Sequence, residues 1–161
     1  MTAAVSGFMT VGVGCGLVGG QAGAKPSPVP VVPFTRETVA AEMASYTRAA
    51  GLPAGDTSTA GTPGEAWRGC VVAWSGEGPA ETASEGFEGT VKRLRQHDWE
   101  IVSSGTEGDV TFRVLAKRGW KLYARNHAPK GAAGAQALTF TGIEDGCELP
   151  ARVREEYTDP S

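Results

Sequence analysis

The chain has 161 residues, enough for one domain with length to spare for a tether. Its composition, 40% hydrophobic and 20% charged, suits a globular core and excludes wholesale disorder. The net charge of -3 does not favour a nucleic-acid partner, and no apolar run of roughly 18 residues is present to cross a bilayer as a helix. Glycine and proline cluster between Gly7 and Pro33 and again between Gly51 and Gly64, which marks two flexible segments.

The stretch Val11 to Gly20, VGVGCGLVGG, contains GCGLVG, a literal match to the G-x-G-x-x-G pattern of dinucleotide loops. Such a loop must open a helix whose free N–H groups hold the pyrophosphate. Here Pro26, Pro28, Pro30 and Pro33 follow, which forbids a helix and predicts an extended tether. Ala3 to Val13 is instead a short, charge-free apolar run of the size of a signal-peptide core, and it ends at Cys15. Gly14, Cys15 and Gly16, with Val13 before them, resemble the lipobox of bacterial lipoproteins, although Gly12 stands where a larger aliphatic is usual. The resemblance implies that Cys15 becomes the N-terminus and carries a diacylglyceryl thioether, which anchors the protein to the extracytoplasmic face of the cell membrane. Two acyl chains suffice for stable anchoring. No Lys or Arg precedes Cys15, so the signal is expected to begin upstream of Met1. The organisation read from this is a signal peptide at 1–14, a lipidated tether at 15–33, one domain at 34–150 and a charged tail at 151–161.

Setting Cys15 aside leaves Cys70 and Cys147. In an exported protein such a pair is normally oxidised, and a bond between them would tie together the two ends of the folded domain. A loop of that length stabilises the fold by roughly 4 kcal/mol in the chain-entropy picture. A catalytic thiol would need a histidine, and His97 and His127 are both expected on exposed element ends.

After the tether, Thr35 is a good N-cap, Glu37 suits the first turn, and Val39, Met43, Tyr46 and Ala50 recur at helical spacing until Gly51 and Pro53. A polar loop, 54–65, precedes WRGCVVAW (67–74), which reads as a strand near the centre of the sheet. SGEGP then reads as a turn. A second helix is expected over roughly 80–97, with Ala83, Phe87, Val91 and Leu94 buried. Four strands follow: 100–104, one centred on Val110 to Lys117, one from Trp120 to Arg125, and 137–143. Lys117 to Gly119 closes a hairpin between the second and third of these. Along the hairpin, alternation places Val110, Phe112, Val114 and Ala116 on one side and Trp120, Leu122 and Ala124 inward. The tail beyond Pro150 reads as a loose turn or frayed helix.

The expected fold is therefore α+β, a two-layer sandwich of about five antiparallel strands with two helices on one face, in the order α-β-α-β-β-β-β. This pattern, with the tether, the Asp98–Trp99 and Gly119–Trp120 pairs and the late Cys147, resembles small lipoproteins of actinomycetes. The resemblance implies export and one disulfide, and brings no activity with it.

Arg113, Lys117, Lys121 and Arg125, with Tyr123 among them, are expected on the helix-free sheet face. There they would either dock on anionic headgroups or cell-wall polymers, or form an ordinary solvated face that discourages edge aggregation. The four tryptophans read mainly as core and secondarily as the lining of a ligand pocket. Glu81, Glu85, Glu88, Glu144 and Asp145 are the carboxylates available for catalysis, but none is paired with a nucleophile, and no Cys/His/Asp group has metal-ligand spacing. No cofactor or metal is expected. The favoured function is a lipid-anchored, non-catalytic module binding an envelope protein, a cell-wall component or an apolar ligand. The alternative is a small envelope enzyme acting on cell-wall or lipid substrates.

Overall fold

A computed structural model describes residues 33–59, 65–129 and 134–159. Cys15, the expected signal peptide and the tether through residue 32 lie outside the described residues, as does Lys130. The first helix, α1, is Arg36–Ala49, capped by the Thr35 hydroxyl, which accepts from the Thr38 N–H. It buries Val39, Met43 and Thr47, and the Thr47 hydroxyl donates back to the Met43 carbonyl at 2.9 Å. Gly51 ends it with φ +83°, a conformation that costs a residue without Cβ nothing.

A short 3-10 turn, Ala66–Cys70, leads into β1 (Val71–Pro79). The second helix, α2 (Ala80–Gln96), is followed by β2 (Glu100–Glu107), β3 (Val110–Lys117), β4 (Trp120–His127) and β5 (Ala135–Glu144), and then by α3 (Ala151–Thr158). The five strands form one antiparallel sheet in the order β1-β5-β4-β3-β2. The α+β class, the five strands and the order of the first seven elements match the sequence reading.

Four local expectations are corrected. Trp67 to Cys70 belong to the 3-10 turn, since Gly69 interrupts the β-formers there, and the strand starts only at Val71. It then runs through the expected SGEGP turn, because Ser75 to Pro79 pair with Thr139 to Ala135. β1 also lies at the sheet edge, not at its centre. Its outer side is partly closed by a bridge between Asp56 and Ser75 and by Arg36, whose Nε donates to the Val71 carbonyl at 3.0 Å. The segment after Pro150, read as a tail with a loose turn or frayed helix, is helix α3 and packs on the domain.

Two cores sit on opposite faces of the sheet. The larger packs α1 and α2 against Val72, Trp74, Leu115, Trp120, Leu122, Ala124, Leu138 and Phe140. The smaller gathers Trp67, Val71, Ile143, Leu149, Val153 and Tyr157 on the other face, so α3 forms a partial third layer. Cys70 and Cys147 pack against this second core and are disulfide-bonded, with Cα atoms 5.9 Å apart.

The β3–β4 hairpin settles which cations meet water. Arg118 (φ +47°) and Gly119 (φ +81°) form a two-residue turn of the I′ kind, so Lys117 and Trp120 are directly opposed and share a face. Trp120 is buried under the helices, so Lys117 points there too, followed by Leu115 and Arg113. Lys117 Nζ lies 2.7 Å from Glu42 Oε1 of α1 and 4.5 Å from the centre of the Phe34 ring. Glu42 also accepts from the Trp99 indole N–H at 2.8 Å, while the Trp120 indole donates to the Phe34 carbonyl at 3.1 Å. With only 8% and 20% of the two side chains exposed, loss of one partner strands a charge in a poorly solvated place. Glu42→Ala is therefore expected to destabilise the domain by about 2 kcal/mol in urea unfolding, and Lys117→Met in the same chain to recover part of that loss. Strictly additive costs would show that the pair is not coupled.

Candidate functional site

The five residues expected to make one basic patch, Arg113, Lys117, Lys121, Tyr123 and Arg125, do not share a face. Arg113 lies on the helix-covered side with Lys117, and its Nη2 is 3.2 Å from Glu88 Oε1 of α2. Lys121, Tyr123 and Arg125 are on the other face, with Lys121 Nζ 3.4 Å from Asp145 Oδ1. Leu115, between Arg113 and Lys117 on the same side of β3, is fully buried under the helices. Each of the four cations therefore has an acceptor or a carboxylate beside it.

What the outer face does present is a groove between the sheet, α3 and the loop around Ser58, with a volume of about 310 Å³. Strand register builds its floor. Ser75 of β1, Thr139 of β5 and Arg125 of β4 stand in one cross-strand row, and Ala73, Thr141 and Tyr123 in the next. Glu156 and Tyr157 of α3 form one wall, and Ser58 and Thr59 the other. The Ser58 wall is held by Asp56, whose carboxylate accepts from the Ser58 N–H and hydroxyl, each at 2.8 Å. These bonds hold the Asp56 carboxyl below its ordinary value. Their stabilisation is thus complete above the ordinary aspartate pKa and is lost as pH falls through the lower folded value. Arg68 fixes Thr59 from behind through Nε to its hydroxyl (2.8 Å) and Nη2 to its carbonyl (2.9 Å). Among the described residues, the hydroxyls of Ser75, Thr139 and Thr141 make no side-chain hydrogen bond and remain available to a guest.

Arg125 is the charged group of this site. Its Nη1 donates to the Glu156 carbonyl at 2.9 Å, in the last turn of α3, where the helix dipole favours a cation. Its Nη2 is buried and has no hydrogen-bond partner among the described residues. Burial pulls the guanidinium below its ordinary pKa, while Asp159 and Tyr123 favour the charged form. Arg125 thus clamps α3 over the sheet and borders the groove at the same time.

The remaining candidates are dispersed. All four tryptophans are buried as core, and Trp74 alone of them also borders the groove. His97 stacks on Tyr46 with ring centres 4.8 Å apart, far in the chain from either cysteine, and His127 is exposed at the end of β4. Glu81, Glu85, Glu88, Glu144 and Asp145 are exposed and do not converge on the groove. Among the described residues no group of three His, Cys, Asp or Glu side chains is placed to hold a metal ion, and no helix is long and apolar enough to cross a membrane.

Fold and groove together define a class, a disulfide-closed α+β domain with an open groove of mixed polar and apolar lining beside its last helix. Comparison with known proteins adds no family to it: no family model, no curated protein and no solved structure matches the chain.

The clamp makes a direct prediction. Arg125→Met should leave the sheet intact but speed hydrogen exchange of the α3 amides by about tenfold or more, the cost of one charge-assisted bond. Unchanged exchange in α3 would remove Arg125 from that role.

Proposed function

We propose that the protein is an exported binding module, held at the extracytoplasmic face of the cell membrane by a lipid on Cys15, and that its ligand occupies the groove bordered by Arg125. The observation that carries this reading is the Cys70–Cys147 disulfide, since such bonds persist in oxidising compartments and are rare in the cytosol. The lipobox-like residues around Cys15 supply the means of attachment. A groove whose open hydrogen-bonding groups are the hydroxyls of Ser75, Thr139 and Thr141, with Glu156 and Arg125 also lining it, favours an uncharged, hydroxyl-rich partner such as a cell-wall glycan segment. An anionic polymer is less well served, because the cations expected to attract it are divided between two faces and three of the four are paired with carboxylates. Binding without catalysis is the reading favoured here, since none of the carboxylates considered for an envelope enzyme lines the groove.

Expression of the full chain behind a functional signal peptide, with metabolic palmitate labelling and detergent phase separation, tests the anchor. The wild-type chain is expected to incorporate label and enter the detergent phase, and Cys15→Ala to do neither. Equal partitioning of the two would remove the lipid anchor from the account.

A further inference from the structure

The two edges of the sheet are treated differently. β1 is shielded by the Asp56 bridge and by Arg36, whereas nothing among the described residues pairs with the outer side of β2. β2 is eight residues long, contains neither Pro nor Lys, and contributes no side chain to either core. Soluble proteins normally blunt such an edge with a short strand, a proline or a lysine. Between its two acidic ends the strand carries one device, a bulge between Ile101 and Ser103, which leaves Ser103 to Glu107 in regular pairing with β3. At that bulge stand Ile101 and Val102, 38% and 57% exposed, the large apolar side chains that the described surface leaves most open. Both ends of the strand are acidic, at Glu100 and Glu107, and no cation lies between them.

We propose that the outer edge of β2 is a docking edge for an extended segment of a partner protein that carries a basic residue at each end and β-branched residues between them. Main-chain hydrogen bonds would supply affinity and the two end pairs orientation, as in strand addition to other open edges. Charge decides against a second copy of this chain. An antiparallel pair of β2 strands centred on Ser103 and Ser104 sets each Glu100 against the other copy's Glu107, and a parallel pair stacks glutamate on glutamate. Like charges opposed across strands are destabilising, so a basic-ended guest is the better occupant.

The test uses the full isotope-labelled chain and two capped eight-residue peptides with alternating Thr and Val interiors, one with Lys at both ends and one with Glu. The Lys-ended peptide is expected to shift amide resonances of Glu100 to Glu107 and slow their exchange, and to bind about tenfold tighter than the Glu-ended one. Val102→Lys, at an exposed site that does not support the core, should keep the melting temperature and weaken the Lys-ended peptide about tenfold. Absence of β2 shifts at millimolar peptide, equal binding of the two peptides, or shifts confined to the Arg125 groove would overturn the proposal. So would a dimer by sedimentation with protected β2 amides, which would show that a second copy covers the edge.

Discussion

Covalent closure between Cys70 and Cys147 brings the 3-10 turn and the approach to α3 together beside the paired residues Val71 and Ile143. The outer layer rests on that closure. α3 has only eight residues and buries two side chains, Val153 and Tyr157, too little for a helix of that length to hold its place by packing alone. Cross-linking residues 77 apart removes chain entropy from the unfolded state worth about 4 kcal/mol, which favours the one arrangement in which Trp67, Leu149 and Tyr157 form a common core. Arg125 then fixes the far end of the helix. The groove opens beside Arg125, between the sheet, the end of α3 and the loop around Ser58.

The helix-covered face follows a different logic. α1 is pinned to the end of the β3–β4 hairpin by Glu42, which meets both the Lys117 ammonium and the Trp99 indole, while Phe34 sits against Trp99 and beneath Lys117. An ammonium held between a carboxylate and aromatic faces is well compensated, and the arrangement fixes α1 against the sheet as the core residues alone would not.

Most of the architecture could be read from periodicity. Thr35, Gly51 and the Ala83–Phe87–Val91–Leu94 stripe delimit the helices, and strict alternation from Trp120 to Arg125 marks β4. The division of the cations was also present in the sequence but was overridden. Val110, Phe112 and Val114 are more apolar than Thr111, Arg113 and Lys117, which suggested that the former face the helices. A two-residue turn at Arg118–Gly119, however, opposes Lys117 to Trp120, and an inward Trp120 then forces Lys117, Leu115 and Arg113 inward with it. Turn geometry outranks local hydropathy here because register flips every side chain at once.

Other features were less legible. The outward Thr139 and Thr141 follow from inward Leu138 and Phe140, and Val153 with Tyr157 at a four-residue interval signalled a helix in the tail. That these residues meet in one groove with Ser75 and Ser58 depends on β1 pairing with β5 at the sheet edge, a long-range contact without local trace. The most direct measurement on this account is mass spectrometry of the unreduced protein from its native cells, after thiols are blocked with iodoacetamide at lysis. A linked Cys70–Cys147 peptide without alkylation is the result predicted. Alkylation of both residues would contradict the closed outer layer and the proposed extracytoplasmic setting together.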